Sequence, residues 1–288
     1  MPAAPDPALD YEHLRHPHLR EVRPVCRTQA TEGLRATLLS IEYYDRGTNI
    51  VMLLEQDPTA TVTIVNGIPA LSAIDDAGTR HPAMLRAASG SGGPGGASMH
   101  LVATFAPGLD FAAQSLTIEM LLARSVSWAV DANDCFADGI LGGPWRFTFP
   151  LDQGATAMGD PGSSVVRVIP VGQHRQFHDI GVTVYSIELY RDRFQAVARL
   201  DWEGRGGFPR LTWRAVDDRG GVYDAWPAAG SGGGKPPELF SWRLICPFTP
   251  QLDPEARHLT LEIETLQWGS GAVLQVPDSA LRFTVGLS

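Results

Sequence analysis

The chain has 288 residues, of which 44% are hydrophobic and 19% are charged, and its formal net charge at pH 7 is −9. This length predicts about two domains, each with enough apolar material for its own core. The acidic balance argues against a nucleic-acid partner, which needs a basic face to displace counterions from phosphates. No uncharged apolar run approaches the ~18 residues that a membrane-spanning helix needs.

Residues 1–18 read as a proline-rich arm. The arm lacks the basic start and apolar stretch of a signal peptide, so we expect a cytoplasmic protein, or an extracytoplasmic one if a targeting segment has been removed. His13, His16 and His18 lie in this arm without neighbouring groups that would orient metal-binding imidazoles. We therefore predict a mobile, exposed arm and no metal site.

The three cysteines are scattered along the chain, at Cys26, Cys135 and Cys246, and form no C-x-x-C motif. An odd number of distant cysteines argues against a disulfide framework and against a zinc site. The sequence therefore predicts three buried, unreactive thiols.

One phrase occurs twice in the chain. Residues 105–119 read FAPGLDFAAQSLTIE and residues 248–262 read FTPQLDPEARHLTLE, with eight of 15 positions identical at an offset of 143. Four further phrases recur in the same order, at offsets between 136 and 146. A period this long exceeds the ~20–50 residues of solenoid repeats and indicates a whole domain copied once. We predict unit 1 at 19–151, a linker at 152–164 and unit 2 at 165–288.

The repeated phrases alternate apolar and polar residues, which is the pattern of a strand with one buried face. In one such strand of unit 2, Ile187 falls on the apolar face and Glu188 on the polar face. In the last strand, Phe283 and Arg282 are divided in the same way. We therefore expect Ile187 and Phe283 to be buried, and Glu188 and Arg282 to face solvent.

Turn residues separate these strands. Both units contain Asp-Asp-x-Gly, at 75–78 and 217–220, which suits a tight hairpin because Asp begins the turn and Gly accepts a positive φ. In the phrase Phe-x-Pro-x-Leu-Asp, the proline lacks a donor for a strand ladder, so this stretch should leave one strand and cross between sheets. Several short strands per unit, with no convincing long helix, predict an all-β chain of two tandem β-sandwiches that arose by domain duplication.

Three stretches carry a resemblance to a known family: GVT at 181–183, the hairpin at 217–220 and WRFTFP at 145–150. They are similar to the tandem immunoglobulin-like domains of uncharacterised bacterial proteins, many of which are ectodomains of anti-sigma-type membrane proteins. The resemblance spans about residues 19–288. It implies two immunoglobulin-like sandwiches and no catalytic residue.

No motif in the chain predicts catalysis. The glycine-rich stretches at 88–98 and 228–238 depart from the phosphate-loop pattern, since Pro236 follows Lys235, and we interpret both as mobile hairpin loops. The two Asp-Asp pairs could be paired acid–base carboxylates. However, adjacent side chains on a turn diverge, and the turn itself accounts for them. We predict no catalytic residue, no cofactor and no metal ligand.

Tryptophan is unevenly distributed, with five of seven in unit 2. Filling of the core is one explanation. The other is an exposed aromatic surface that binds a protein or a glycan, because Trp is favoured at binding hot spots. We predict such binding residues at Trp226, Trp213, Trp242 and Tyr223. Trp226 is the best placed, because it follows the hairpin and precedes Pro227 and the glycine-rich stretch.

The expected function is a non-catalytic protein-interaction or structural module, such as a scaffold, an assembly subunit or a sensor domain, with a protein partner or self-association. The alternative is a carbohydrate or small-ligand binding module that uses the aromatic residues of unit 2. A hydrolase or metalloenzyme is the third hypothesis. A concave apolar pocket with converging polar groups would favour ligand binding, and a large self-complementary apolar patch would favour protein contact.

Overall fold

A computed structural model describes most of the chain and divides it into two compact units, Met1–Ser163 and Ser164–Ser288. The predicted linker at 152–164 falls at this division. None of the described residues lies in an α-helix, and the prediction of an all-β chain with two domains is confirmed. The described residues are 19–31, 33–45, 47–57, 64, 67–93, 96–105, 108–109, 113–128, 135–151, 157–158, 164–203, 209–225, 229–233, 239–268, 271 and 273–287.

The strands follow the chain in two similar sets. Those of unit 1 are β1 (Leu19–Thr31), β2 (Leu34–Tyr44), β3 (Gly47–Gln56), β4 (Ile68–Asp75), β5 (Arg80–Gly93), β6 (Gly96–Phe105), β7 (Ser115–Trp128) and β8 (Cys135–Pro150), with the short β9 (Ala157–Met158) after them. Those of unit 2 are β10 (Val165–Phe177), β11 (Ile180–Tyr190), β12 (Phe194–Glu203), β13 (Pro209–Asp217), β14 (Val222–Ala225), β15 (Ala229–Gly233), β16 (Leu239–Thr249), β17 (His258–Trp268), β18 (Val273–Gln275) and β19 (Arg282–Gly286).

Both units have the same strand order. The sheet of unit 1 runs β1-β2-β3-β6-β5-β4-β7-β8, and that of unit 2 runs β10-β11-β12-β16-β14-β13-β17-β18, with β15 also on β16 and β19 also on β17. Thus β14 and β15 correspond to β5, and β18 and β19 correspond to β8. Each unit is one antiparallel sheet around one hydrophobic core. In unit 1 the sheet is curled so that β1 lies against β8, and the layers of the predicted sandwich are parts of this single sheet.

The duplication extends to the register of the strands. Matching residues face matching partners in the first three strands of each unit, and the bulges there fall at matching positions. The matched pairs include Leu19–Tyr44 with Val165–Tyr190, Pro24–Ser40 with Pro170–Ser186, and Ser40–Val51 with Ser186–Val197. Register decides which side chains share a face of the sheet. Corresponding residues of these strands therefore lie on corresponding faces in the two units.

The doubled phrase has the same role in both units. Phe105 ends β6 and Phe248 lies next to the end of β16, and both rings are fully buried. The chain then crosses two strands of the sheet, β5 and β4 in unit 1 and their counterparts in unit 2, before it forms β7 or β17. Leu109 in the crossing segment of unit 1 belongs to the core of unit 1, and Leu252 in that of unit 2 belongs to the core of unit 2. The core strand after the crossing is as predicted, but the crossing spans neighbouring strands of one sheet and does not join two sheets.

The alternation of apolar and polar residues predicts the core face correctly. It wrongly predicts that the opposite face is exposed throughout. Ile187 and Phe283 are fully buried and Arg282 is exposed, as the alternation predicts. The prediction for Glu188 is wrong, because this carboxylate is fully buried on the face opposite Ile187. Its counterpart in unit 1, Glu42, is buried as well.

Hydrogen bonds explain how a carboxylate can occupy this face. The hydroxyl of Tyr190 donates to Glu188 Oε2 at 2.9 Å, and the side-chain amide of Gln195 donates to the same oxygen at 2.6 Å. Unit 1 repeats the arrangement, with distances of 2.9 and 3.2 Å, through Glu42, Tyr44 and Asn49. Burial of a carboxylate is costly unless hydrogen bonds replace its water, so the two partners were duplicated with it.

The described parts of the glycine-rich stretches, 88–93, 96–98 and 229–233, lie in strands, so the prediction of loops is wrong for these residues. Residues 90–93 pair with 96–99 at the tip of the β5–β6 hairpin, and residues 230–233 pair with 241–244. An antiparallel ladder is made by backbone groups and needs no side chains, which is why glycine does not prevent it. The arm at 1–18 lies outside the described residues.

Replacing Tyr190 by Phe should lower the free energy of unfolding by about 1–3 kcal/mol, because the buried Glu188 loses a charge-assisted hydrogen bond. Tyr44→Phe should cause a similar loss in unit 1. Urea unfolding of the two variants and of the wild type is the measurement. Losses below about 0.5 kcal/mol, the range of ordinary surface substitutions, would show that the glutamates do not depend on the tyrosines.

Candidate functional site

The first aspartate of each Asp-Asp-x-Gly hairpin is bound within its own turn. Asp217 accepts hydrogen bonds from the backbone N–H groups of Arg219 and Gly221, at 2.9 and 2.8 Å, and from the hydroxyl of Tyr223 at 2.6 Å. Burial alone would raise the pKa of Asp217, but these bonds outweigh it and hold the pKa below its ordinary value. Burial and the bond to Asp217 raise the pKa of Tyr223.

Unit 1 has a histidine where unit 2 has Tyr223. His81 Nε2 lies 3.1 Å from Asp75 Oδ2, and both side chains are buried. The hydrogen bond with His81 is the main cause that lowers the pKa of Asp75. Asp75 also accepts the backbone N–H of Thr79 at 2.8 Å. The aspartate therefore closes the hairpin in both copies, with either a histidine or a tyrosine as its side-chain partner.

The second aspartate joins the hairpin to the doubled phrase. Asp76 Oδ2 accepts the backbone N–H of Gln114 at 3.1 Å, and Asp218 Oδ1 accepts that of Arg257 at 3.0 Å. Gln114 and Arg257 each precede the first residue of a core strand, β7 or β17. The two most recognisable repeated motifs of the sequence are thus in contact through the same bond in both units, which gives the aspartates a structural role.

The thiols and histidines of the described residues form no reactive cluster. Cys26 and Cys246 are buried, and burial raises the pKa of the Cys246 thiol well above its usual range, which makes Cys246 a poor nucleophile. The side chain of Cys135 and the three arm histidines lie outside the described residues. Within the described part of the chain, no group of three His, Cys, Asp or Glu residues could hold a metal. No helix there is long and apolar enough to cross a membrane.

The predicted aromatic residues lie mainly in the core. Trp213 and Tyr223 are buried in the core of unit 2, so neither ring is available to a partner. Trp242 is half-buried and packs against that core. Trp226 lies outside the described residues, and binding by Trp226 stays a prediction.

A change of position within the core accounts for Trp213. The central row of unit 1 contains, in order across three strands, Leu71, Met120 and Trp145. The matching row of unit 2 contains Trp213, Ile263 and Leu281. All six side chains are buried. The indole lies at one end of this row in unit 1 and at the opposite end in unit 2. Trp213 therefore fills the core of unit 2, as Trp145 fills that of unit 1.

A cleft of about 700 Å³ opens on unit 2 over strands β13 and β17. Its volume falls in the ~300–1,000 Å³ range of small-molecule sites. Five of the 13 residues that line it are charged: Arg214, Glu262, Glu264, Asp278 and Arg282. The lining contains no aromatic side chain. This lack of a stacking surface counts against the aromatic carbohydrate site that the sequence suggests as an alternative.

One wall of the cleft is a connection that is longer in unit 2. In unit 1 two residues separate Gly142 from Trp145, whereas in unit 2 five residues separate the corresponding Gln275 and Leu281, a difference of 5 − 2 = 3. The longer segment turns back on itself, with the N–H of Ala280 donating to the carbonyl of Pro277 at 2.9 Å. Several residues of this connection line the cleft.

The floor of the cleft differs between the units as well. A register shift between Thr212 and Trp213 leaves Glu264 without an opposite residue on β13. The matching pair in unit 1, β4 with β7, runs without a shift. Bulges of this kind redirect a side chain and are frequent beside functional sites. Sequence patterns missed this feature, since an alternating strand does not reveal where its register will shift.

The charged groups of the cleft are paired unequally. Arg282 Nη2 lies 2.6 Å from Glu262 Oε1, whereas Arg214 Nη1 lies 3.6 Å from Glu264 Oε1. The first distance is that of a charge-assisted hydrogen bond, and the second is too long for one. Arg214 and Glu264 therefore attract each other without occupying each other's hydrogen-bonding groups.

The last strand of each sheet exposes aliphatic side chains. On β18, Val273 is 50% exposed and Leu274 is 37% exposed, and on β8, Ile140 is 59% exposed. Ile140 lies opposite Ala123, and Leu274 lies opposite Leu266, which matches Ala123 at an offset of 266 − 123 = 143. The two units thus expose an apolar residue at corresponding places on a terminal strand.

Comparisons with known proteins place the chain in no family. No protein-family model matches it, and no curated protein matches it. Among solved structures it is similar to one described as the crystal structure of the conserved domain protein from Bacillus anthracis. The identity is 12%, 95% of each chain is covered, and the TM-score is 0.35. A similarity of this size supports no argument about function.

Acid should weaken the hairpins. Because the pKa of Asp217 is lowered in the folded state, its contribution to stability is complete above the unfolded-state pKa of about 4 and is lost as the pH falls through the folded pKa. Asp75 shifts in the same direction. Asp217→Asn should therefore reduce the free energy of unfolding at pH 7. The free energies of unfolding at pH 7 and pH 3 should also differ less in this variant than in the wild type. Urea unfolding at both pH values tests this, and an unchanged pH dependence in the variant would contradict it.

Proposed function

We propose that this chain is a non-catalytic protein-interaction module that holds another protein chain at β18, a terminal strand of the sheet of unit 2. The observation that supports this most is the exposure of Val273 and Leu274 on β18, with Ile140 at the corresponding place on β8. The edge of a sheet offers backbone N–H and C=O groups to an added strand, and apolar side chains beside them favour such pairing.

The role agrees with the resemblance of the sequence to tandem immunoglobulin-like domains, since ectodomains of that kind are expected to act through contacts with other molecules. The partner is either a second copy of this chain or another protein with an exposed strand. An antiparallel pairing of two identical edges is self-complementary, which makes a second copy the first partner to test.

Lysine on the edge should prevent this contact, as it does on the protected edges of natural sheets. The test variant carries Val273→Lys and Leu274→Lys together. The control is Val222→Lys, because Val222 is similarly exposed, at 48%, but lies on β14 inside the sheet order.

Sedimentation velocity measures self-association, and capture from native lysate measures other partners. The edge variant should lose the association that the wild type and the Val222→Lys control retain. The proposal is wrong if the wild type neither self-associates nor captures a protein, or if the edge variant does so equally well.

A further inference from the structure

We propose that the cleft of unit 2 binds a small molecule that carries a carboxylate and an ammonium group close together, for which free α-amino acids are the simplest class. This site lies beside the strand edge, since Gln275 of β18 is among its lining residues, and it adds a ligand to the proposed protein contact. It rests on three features that occur together in unit 2: the longer connection at 276–280, the bulge at Glu264 and the arginine at position 214.

The charged groups available to such a ligand are Arg214 and Glu264. Their side chains are 40% and 43% exposed, and their 3.6 Å separation leaves the hydrogen-bonding capacity of both unused by the pair itself. Glu262 differs, because it is only 19% exposed and already bonded to Arg282. A ligand therefore meets one guanidinium and one carboxylate of opposite charge side by side on the floor.

The chemistry of these groups defines the ligand. A guanidinium binds a carboxylate through two parallel hydrogen bonds, so Arg214 would hold the anionic end. Glu264 would accept hydrogen bonds from the ammonium end, and Asp278, which is exposed on the longer connection, adds a second negative charge at the rim. Thr260, Thr265 and Gln275 line the same cleft and can bond a polar side chain of the ligand.

The corresponding positions in unit 1 lack this charge pair. Ser72 stands where unit 2 has Arg214, and Leu121 stands where it has Glu264. Since the surrounding strands keep the same order in both units, the differences at these two positions and in the connection are concentrated at one place. A binding site acquired by one copy after duplication would have this distribution, whereas scattered drift would not.

The probe is L-glutamine, titrated into the full chain and followed by the amide chemical shifts of the protein. We expect saturable binding, with the shifts centred on β13, β17 and the connection at 276–280. N-acetyl-glutamine amide has the same side chain without either charge, and should bind at least about tenfold more weakly. Glucose serves as the neutral comparison and should not bind.

The variant Arg214→Ser with Glu264→Leu gives unit 2 the residues of unit 1, and should weaken glutamine binding at least about tenfold. The control, Arg175→Ser with Glu255→Leu, removes the same charges from exposed positions outside the cleft and should leave binding unchanged. Glu264→Gln alone keeps the shape of the side chain and should weaken glutamine binding while leaving the binding of N-acetyl-glutamine amide unaffected. It also serves if the double variant fails to fold.

The inference is overturned if glutamine shows no saturable binding up to ~10 mM, weaker than the range of useful affinities, if N-acetyl-glutamine amide binds equally well, or if the double variant retains full affinity. Val273 and Leu274 are not among the residues that line the cleft, so the edge variant with Val273→Lys and Leu274→Lys should still bind glutamine. Failure of the protein contact and failure of this site are therefore separate results.

Discussion

The buried glutamate on the second strand of each unit is the constraint on which the sheet depends. Glu42 and Glu188 lie on the face opposite the core and are held by a tyrosine two residues later and an amide seven residues later. A slip of one residue would move every side chain of the strand to the other face. It would then place a carboxylate in the hydrophobic core, at a cost of several kcal/mol. The network therefore admits one register, and the shared bulges follow from it.

A second set of hydrogen bonds links the Asp-Asp-x-Gly hairpin of each unit to the start of its next core strand. The Asp-Asp-x-Gly hairpin between two strands accepts the backbone N–H that precedes the next core strand, through Asp76 in unit 1 and Asp218 in unit 2. Because these bonds secure the frame in both units, residues on the outer face are free to change. The cleft of unit 2 lies on such a face, where Arg214, Glu264 and a longer connection replace the simpler surface of unit 1.

Sequence reasoning recovered what is repeated and periodic. The two units, the hairpins at Gly78 and Gly220 with φ of 81° and 88°, and the core positions of Ile187 and Phe283 follow from period, turn chemistry and alternation. It failed at Glu188, because a polar residue on an alternating strand is assigned to solvent unless its partners are known. It also placed Trp213 on a binding surface. A count of tryptophans does not show that unit 2 has Leu281 in its core where unit 1 has Trp145. The cleft depends on a register shift and a loop length, which one sequence does not show.

Cross-strand nuclear Overhauser contacts in the full chain test the central claim, that one sheet with a fixed register was copied and that the β13–β17 pair of the second copy has a register shift that the first copy lacks. The account predicts matched contacts between Ser40 and Val51 and between Ser186 and Val197, together with a shift at Glu264 that has no counterpart between β4 and β7. A register that differs by one residue between the two copies, or an unshifted β13–β17 pair, would contradict it.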